Sequence, residues 1–252
     1  MNRFYTTLRA IAYWPMKLLF PAKVIGYENL PVPQKVITVS NHLSMLDIVL
    51  VGVNVYGYRH FVAKKELEKV GFMRWLMKRA DAITIDRGKA DLTAIKRILT
   101  ALRKGEGLSI FPEGTRNKDD ETLQEVKTGS AMFALKGNAP LVPVMIHHKQ
   151  KLFRRNYVYV APLFTLDEFA QGKIDNTAIE QAAEKIEQEM KKAQDYLNDY
   201  VANKRWKEEK RKIKQDKKAY KARLKQLKKE IKAQIKVEKK AKKEKKNKDK
   251  NQ

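Results

Sequence analysis

The chain of 252 residues contains no cysteine. That absence excludes a disulfide framework, a thiolate nucleophile and a cysteine zinc site, and it suits a reducing, cytoplasmic compartment. There is also no run of about 18 uncharged apolar residues, so no segment reads as a membrane-spanning helix. Acidic residues are few, 29 against 54 Lys and Arg, for a formal charge of +25. The imbalance is uneven: residues 204–252 hold 24 basic and 7 acidic residues, net +17, leaving +8 for residues 1–203. Glycine and proline are missing from that same tail.

The expected organisation is an amphipathic segment over 1–22, one α/β domain over 23–203, and a basic helical to disordered tail over 204–252. At 100° per residue, Phe4, Tyr5, Leu8, Ile11 and Ala12 share an arc of about 120°, with Arg3 and Arg9 at its edges. Trp14, Met16, Leu18, Leu19 and Phe20 carry the apolar surface past Pro15, which predicts a bent or two-piece anchor lying in a membrane interface. Packing on the protein's own core would produce the same pattern.

From there β-like and helix-like patterns alternate, the signature of a mixed, largely parallel sheet flanked by helices. Strands are expected at 36–40, 61–63, 82–86, 108–111, 141–146 and 157–160. Helices are expected at 65–79, after an Asp91 cap, at 127–135, and after a capping box formed by Thr177 and Glu180. Pro143 inside its strand implies an edge or a bulge. In the tail, Trp206, Ile213, Tyr220, Leu224, Leu227, Ile231 and Ile235 form a narrow helical stripe. Residues from Lys236 onward are nearly pure charge and read as disordered.

Two short segments carry the chemistry. In Asn41-His42-Leu43-Ser44-Met45-Leu46-Asp47, an imidazole can accept a proton near neutral pH and a carboxylate can fix its tautomer. Five residues on one helix place two side chains about 140° apart, so His42 must lie before the helix. Ser44 as N-cap would put Asp47 at N3 and let His42 fold back toward it, although a helix cap beside a loop histidine would give the same residues. In Phe111-Pro112-Glu113-Gly114-Thr115-Arg116, Pro112 ends a strand, Gly114 permits close backbone approach, and Arg116 offers a planar fork that suits phosphate. Thr115 can donate a hydroxyl hydrogen bond, and Glu113 can orient Arg116 or accept from a substrate hydroxyl. Asp86-Arg87 gives another arginine at a strand end. His147 and His148 end a strand with no carboxylate at useful spacing and read as structural or surface residues.

Taken in order, Asn-His-x4-Asp, Ile-Asp-Arg, Phe-Pro-Glu-Gly-Thr-Arg and a later Pro-Leu-Val-Pro-Val strand resemble the glycerolipid acyltransferase family over roughly residues 25 to 165. Within that family the chain is most similar to 1-acylglycerol-3-phosphate acyltransferases. The resemblance implies that His42 is the general base and Asp47 its orienting partner. It further implies that Arg87, Glu113, Gly114, Thr115 and Arg116 bind the acceptor, with Lys127 in a following Lys-x-Gly element and Pro143 shaping the acyl site. Val126, Asp81 and Thr84 depart from the family's usual residues.

The implied partners are membrane lipids, lysophosphatidic acid, and an acyl carrier protein or coenzyme A thioester as co-substrate. Neither a metal nor another cofactor is expected, because a thioester is already activated. The implied location is the cytoplasmic face of the cell membrane, peripheral or monotopic, with Phe4, Leu8, Ile11 and Trp14 in contact with lipid. The basic tail could add about 1 kcal/mol per Lys or Arg near an anionic leaflet. A solvated extension or a nucleic-acid contact would suit it too, with nucleic acid the least favoured partner, since Trp206 and Tyr220 are its only stacking residues. Other glycerolipid acceptors remain open (a lysophospholipid, glycerol-3-phosphate or dihydroxyacetone phosphate), as does a non-enzymatic basic membrane- or RNA-binding protein on the same scaffold. The sequence carries no signal of oligomeric state.

Overall fold

The computed structural model describes residues 3–30, 34–55, 57, 59–86, 91–117, 122–205, 214 and 216–233. Short apolar runs bounded by turns become strands β1 (Ala22–Ile25), β2 (Ile37–Ser40), β3 (Arg59–Lys64), β4 (Ile83–Ile85), β5 (Gly107–Ile110), β6 (Leu141–Ile146) and β7 (Asn156–Val160). The helices are α1 (Arg3–Leu19), α2 (Asp47–Asn54), α3 (Gly71–Arg79), α4 (Leu92–Arg103), α5 (Gly129–Gly137) and α6 (Asn176–Ala202). The sheet order is β1-β7-β6-β2-β5-β3-β4, with every pairing parallel except β6 with β7.

Side chains alternate across this sheet and so build two cores. On β6, Val142, Val144 and Ile146 join Leu50, Val51 and Val53 of α2 and Met16 of α1. Leu141 and Met145 point to the other face, among Ile98 and Leu102 of α4, Ala131 and Leu135 of α5, and Ile186 and Met190 of α6. Both faces of β2, β5 and β6 are covered, and all their residues are buried. That is why these strands read as continuous apolar runs and not as alternating ones.

Several expectations change. α1 is one uninterrupted helix through Pro15, not two pieces; Pro15 and Ile11 are both exposed, so the Ile11 carbonyl that Pro15 cannot serve faces the medium. Pro143 is not on an edge, since β6 lies between β7 and β2. It sits at a bulge: Val144 pairs with Val160 while Leu141 bridges Phe164, so the opposite strand carries one extra residue just where Pro143 offers no N–H. The 65–79 helix is split into a 3-10 turn (Lys65–Lys69) and α3. Asp91 caps α4 as expected, accepting from the Ala94 amide at 3.0 Å, but α6 is capped by Asp175 and not by the Thr177 box. Residues 216–233 of the tail are helical and dock on the domain, with Tyr220 5.6 Å from the Tyr27 ring and Arg223 donating to the Glu28 carbonyl at 3.3 Å. Trp206, Ile213, Ile235 and the residues from Lys236 onward lie outside the described residues.

Candidate active site

The parallel strands β2, β5 and β6 all end on one edge of the sheet, where ligands of open α/β sheets bind. β2 runs into Asn41 and His42, β5 into Phe111 and the Pro-Glu-Gly-Thr-Arg turn, and β6 into His147 and the loop beyond. Asn41 joins two of these ends: its buried amide donates to the Ile146 carbonyl and accepts from the Ile146 amide, both at 2.8 Å. One side chain thus continues the β2–β6 ladder past the strand.

His42 and Asp47 meet. His42 Nδ1 lies 2.9 Å from Asp47 Oδ2, and Asp47 is wholly buried. The same oxygen accepts from the Leu43 and Ser44 amides at 2.6 and 2.7 Å. These bonds cross-link the turn, so the carboxylate fixes both the ring and the backbone that carries it. The imidazole stacks on Phe111 with centroids 4.1 Å apart at 22°. With Nδ1 committed, Nε2 is the ring nitrogen left without a hydrogen-bond partner among the described residues.

The expected cap geometry is corrected in one detail. α2 starts at Asp47 with Leu46 at its N-cap, so Ser44 is not the cap and Asp47 is not at N3. The reach of Asp47 back to the Ser44 amide survives, while the Ser44 hydroxyl accepts from Leu46 N at 3.1 Å and donates to Gln150 Oε1. Gln150 Nε2 in turn donates to Asp47 Oδ1 at 2.5 Å. Sequence reasoning missed Gln150, which stands 103 residues from Asp47 in a loop without a motif.

Glu113 takes a different role from the one its position suggests. It is buried, and its Oε1 accepts from the His42 amide at 2.8 Å while Oε2 accepts from the Gln124 amide at 3.2 Å. Its carboxylate therefore holds the His42 loop from behind instead of orienting Arg116. Burial pushes its pKa up to about 7, against the opposing pull of those two amides, and the Asp47 charge adds to the rise. Asn117 completes the join, donating its backbone N–H to the His42 carbonyl at 2.8 Å.

Gly114 has φ 77, the left-handed region that glycine enters without strain, and its N–H closes the turn on the Phe111 carbonyl at 3.1 Å. Thr115 and Arg116 stand exposed on that turn. The Lys127 amide donates to the Pro112 carbonyl at 3.0 Å, but its exposed ammonium pairs with Glu125 at 2.8 Å. Pro143 is buried within the sheet, two residues before Met145. Arg87 lies outside the described residues. His147 and His148 pack against each other with ring centroids 5.2 Å apart.

The proposed lipid contacts divide. Ile11 and Trp14 are exposed by 67% and 70%, whereas Phe4 and Leu8 are half-buried, Phe4 lying edge-on to Trp75 at 5.6 Å. Tyr5 and Met16 face the core. Arg9, expected at a bilayer edge, instead donates to the Gly52 and Val53 carbonyls at 2.8 and 3.0 Å, satisfying the carboxyl end of α2. No helix among the described residues is long and apolar enough to cross a membrane.

The sequence pattern of the Acyltransferase family matches residues 21–147, the segment that holds both the His42–Asp47 pair and the Gly114 turn. The chain belongs to that family. Among its relatives, the 1-acyl-sn-glycerol-3-phosphate acyltransferase of Bacillus subtilis is 35% identical over 122 residues, covering 48% of this chain and 60% of that protein. The Saccharomyces cerevisiae protein of the same name is 33% identical over 151 residues, covering 58% and 50%. The chain thus spans between half and three-fifths of the length of these two relatives. The crystal structure of the 1-acyl-sn-glycerophosphate (LPA) acyltransferase PlsC from Thermotoga maritima matches with a TM-score of 0.59 at 23% identity, over 79% of this chain and 80% of that one, a likeness of fold.

Proposed function

We propose that this protein transfers a fatty acyl group from an acyl carrier protein or coenzyme A thioester to the sn-2 hydroxyl of 1-acyl-sn-glycerol-3-phosphate, giving phosphatidic acid. The observation that carries this reading is the His42–Asp47 pair at 2.9 Å, with Nε2 free to face an acceptor. The names of the relatives supply the substrate class.

In this reaction His42 Nε2 takes the hydroxyl proton as the oxygen attacks the thioester carbon. The buried Asp47 carboxylate stabilises the imidazolium that forms. The tetrahedral intermediate then collapses, the carbon–sulfur bond breaks, and the proton passes from His42 to the departing thiolate. No acyl-enzyme is formed. Arg116 and Thr115 on the exposed turn, with Arg87, are the groups proposed to meet the acceptor phosphate, and Lys127 adds charge nearby. Pro143 is proposed to act on the acyl site through the bulge it imposes.

The protein works at a membrane surface in this reading, peripheral or monotopic on the cytoplasmic face, with Ile11 and Trp14 of α1 in the interface. Supplying lysophosphatidic acid with each donor in turn and following phosphatidic acid tests the assignment. Product is expected from wild type and not from His42→Ala. Absence of product from wild type with both donors would refute the substrate, and equal rates in the two proteins would remove His42 from the mechanism.

A further inference from the structure

Gln150 opens a loop that connects the dyad to the surface. Its side chain closes a ring of hydrogen bonds with Ser44 and Asp47, and the only other described partner of Asp47 Oδ1 is the Ser44 hydroxyl at 3.4 Å. The residues that follow are shaped by buried Asn156, which accepts from the Lys151 amide at 2.9 Å and donates to the Arg154 carbonyl at 2.9 Å. The same loop is tied to the end of α1, since the Phe153 amide donates to the Leu19 carbonyl at 2.6 Å.

Its outer surface is unusual. Leu152 and Phe153 are 52% and 67% exposed, and Lys149, Lys151, Arg154 and Arg155 around them are exposed with no acidic residue between. On the adjoining helix Leu18 and Trp14 are 72% and 70% exposed. Apolar tips ringed by cations match a bilayer with anionic headgroups, into which the tips insert while the cations stay among the phosphates. An acidic carrier protein would use the cations but leave the exposed aromatic and leucine side chains unexplained.

We infer that the 149–155 loop is a second lipid contact, continuous with α1, and that docking it on an anionic bilayer steadies Gln150 against Asp47. The inference rests on the membrane reading above and adds to it a route from the lipid surface to the catalytic pair. Gln150 is a positioning residue in this scheme: it orients Asp47, which orients His42.

The test uses the full chain, with vesicles of phosphatidylcholine alone or mixed with phosphatidylglycerol, and two acceptors, one vesicle-borne and one short-chained and dispersed. The Leu152→Ser/Phe153→Ser protein is expected to bind mixed vesicles about tenfold more weakly or worse. Its turnover of the vesicle-borne acceptor should fall in step while the dispersed acceptor is used at the wild-type rate. Gln150→Ala is expected to bind vesicles normally and lose about tenfold in kcat on both acceptors with KM unchanged, measured well below its unfolding temperature. Wild-type vesicle affinity in the double variant overturns the loop as a lipid contact, as does a defect confined to use of acyl carrier protein. An unchanged kcat in Gln150→Ala overturns the coupling. Failure of the wild-type protein itself to bind either vesicle defeats the membrane reading instead, and is told apart by that control.

Discussion

His42 and His60 are two buried or nearly buried histidines with a carboxylate at almost the same distance, 2.9 Å to Asp47 and 3.0 Å to Glu106. They stand at opposite ends of the sheet and are bonded differently. His60 begins β3, at the amino ends of the parallel strands, beside a cleft of ≈ 400 Å³ lined by Lys96, Arg97 and Lys104. Its Nδ1 faces the Asp81 carbonyl at 2.8 Å and its Nε2 faces Glu106, so both ring nitrogens are committed. His42 commits one nitrogen and, among the described residues, keeps the other. A histidine–carboxylate pair can act as a base only through a nitrogen it leaves open, and the shallow cleft at the other end holds a histidine with both nitrogens engaged.

Exchanging the two roles should fail in a measurable order. His42→Ala is expected to lower kcat by about 10²–10⁴-fold with an unchanged far-UV spectrum, while His60→Ala leaves turnover close to wild type in the same assay. Asp47→Asn should follow closely, losing about 10³-fold or more because the amide no longer selects the tautomer that presents Nε2, as steady-state kinetics would record. The cost of His60→Ala should instead appear in urea unfolding, as a loss of about 1–3 kcal/mol from its two part-buried hydrogen bonds. If His60→Ala proved as inactive as His42→Ala while still folded, the contrast would collapse.

The smallest effect concerns Glu113, the carboxylate behind His42. Its folded pKa of about 7 lies above its ordinary 4.5, so the folded state holds the proton more tightly than the unfolded one. The stability this contributes is present below about pH 4.5 and is lost as pH rises through about 7. Denaturant midpoints measured across that window should fall for wild type and stay flatter for Glu113→Gln, a difference that a midpoint series at several pH values would detect.

That His42 and Asp47 could meet was legible because both lie in one turn, where five residues of spacing are enough to argue that His42 precedes the helix; the role assigned to them came from the resemblance. Gly114 was legible for a similar reason, since a strand running into Pro-Glu-Gly forces a tight turn. Gln150 was not legible, because its contact with Asp47 is made by the meeting of two strand ends and leaves no local pattern. Glu113 was read as orienting Arg116 or accepting from a substrate hydroxyl; the first fails because burial turned its carboxylate toward backbone amides. β1 escaped notice: four residues, Ala22–Ile25, half of them only partly buried, give too little alternation to register, and the strand exists because β7 offers it an edge. Arg9 looked like a surface cation by its place on the helical wheel, and only the packing of α1 across α2 gave it carbonyls to satisfy.

That last contact bears on how the protein can be handled. Residues 3–19 invite removal as a sticky leader, yet cutting them away would strip Arg9 from the end of α2 and uncover the core that Tyr5 and Met16 help to seal. A shortened protein that failed to act on lipid would then be reporting a frayed carboxyl end of α2 and an opened core, and its silence would be mistaken for lost adhesion. Changing Ile11, Trp14 and Leu18 to polar residues, with Arg9 left in place, separates the two.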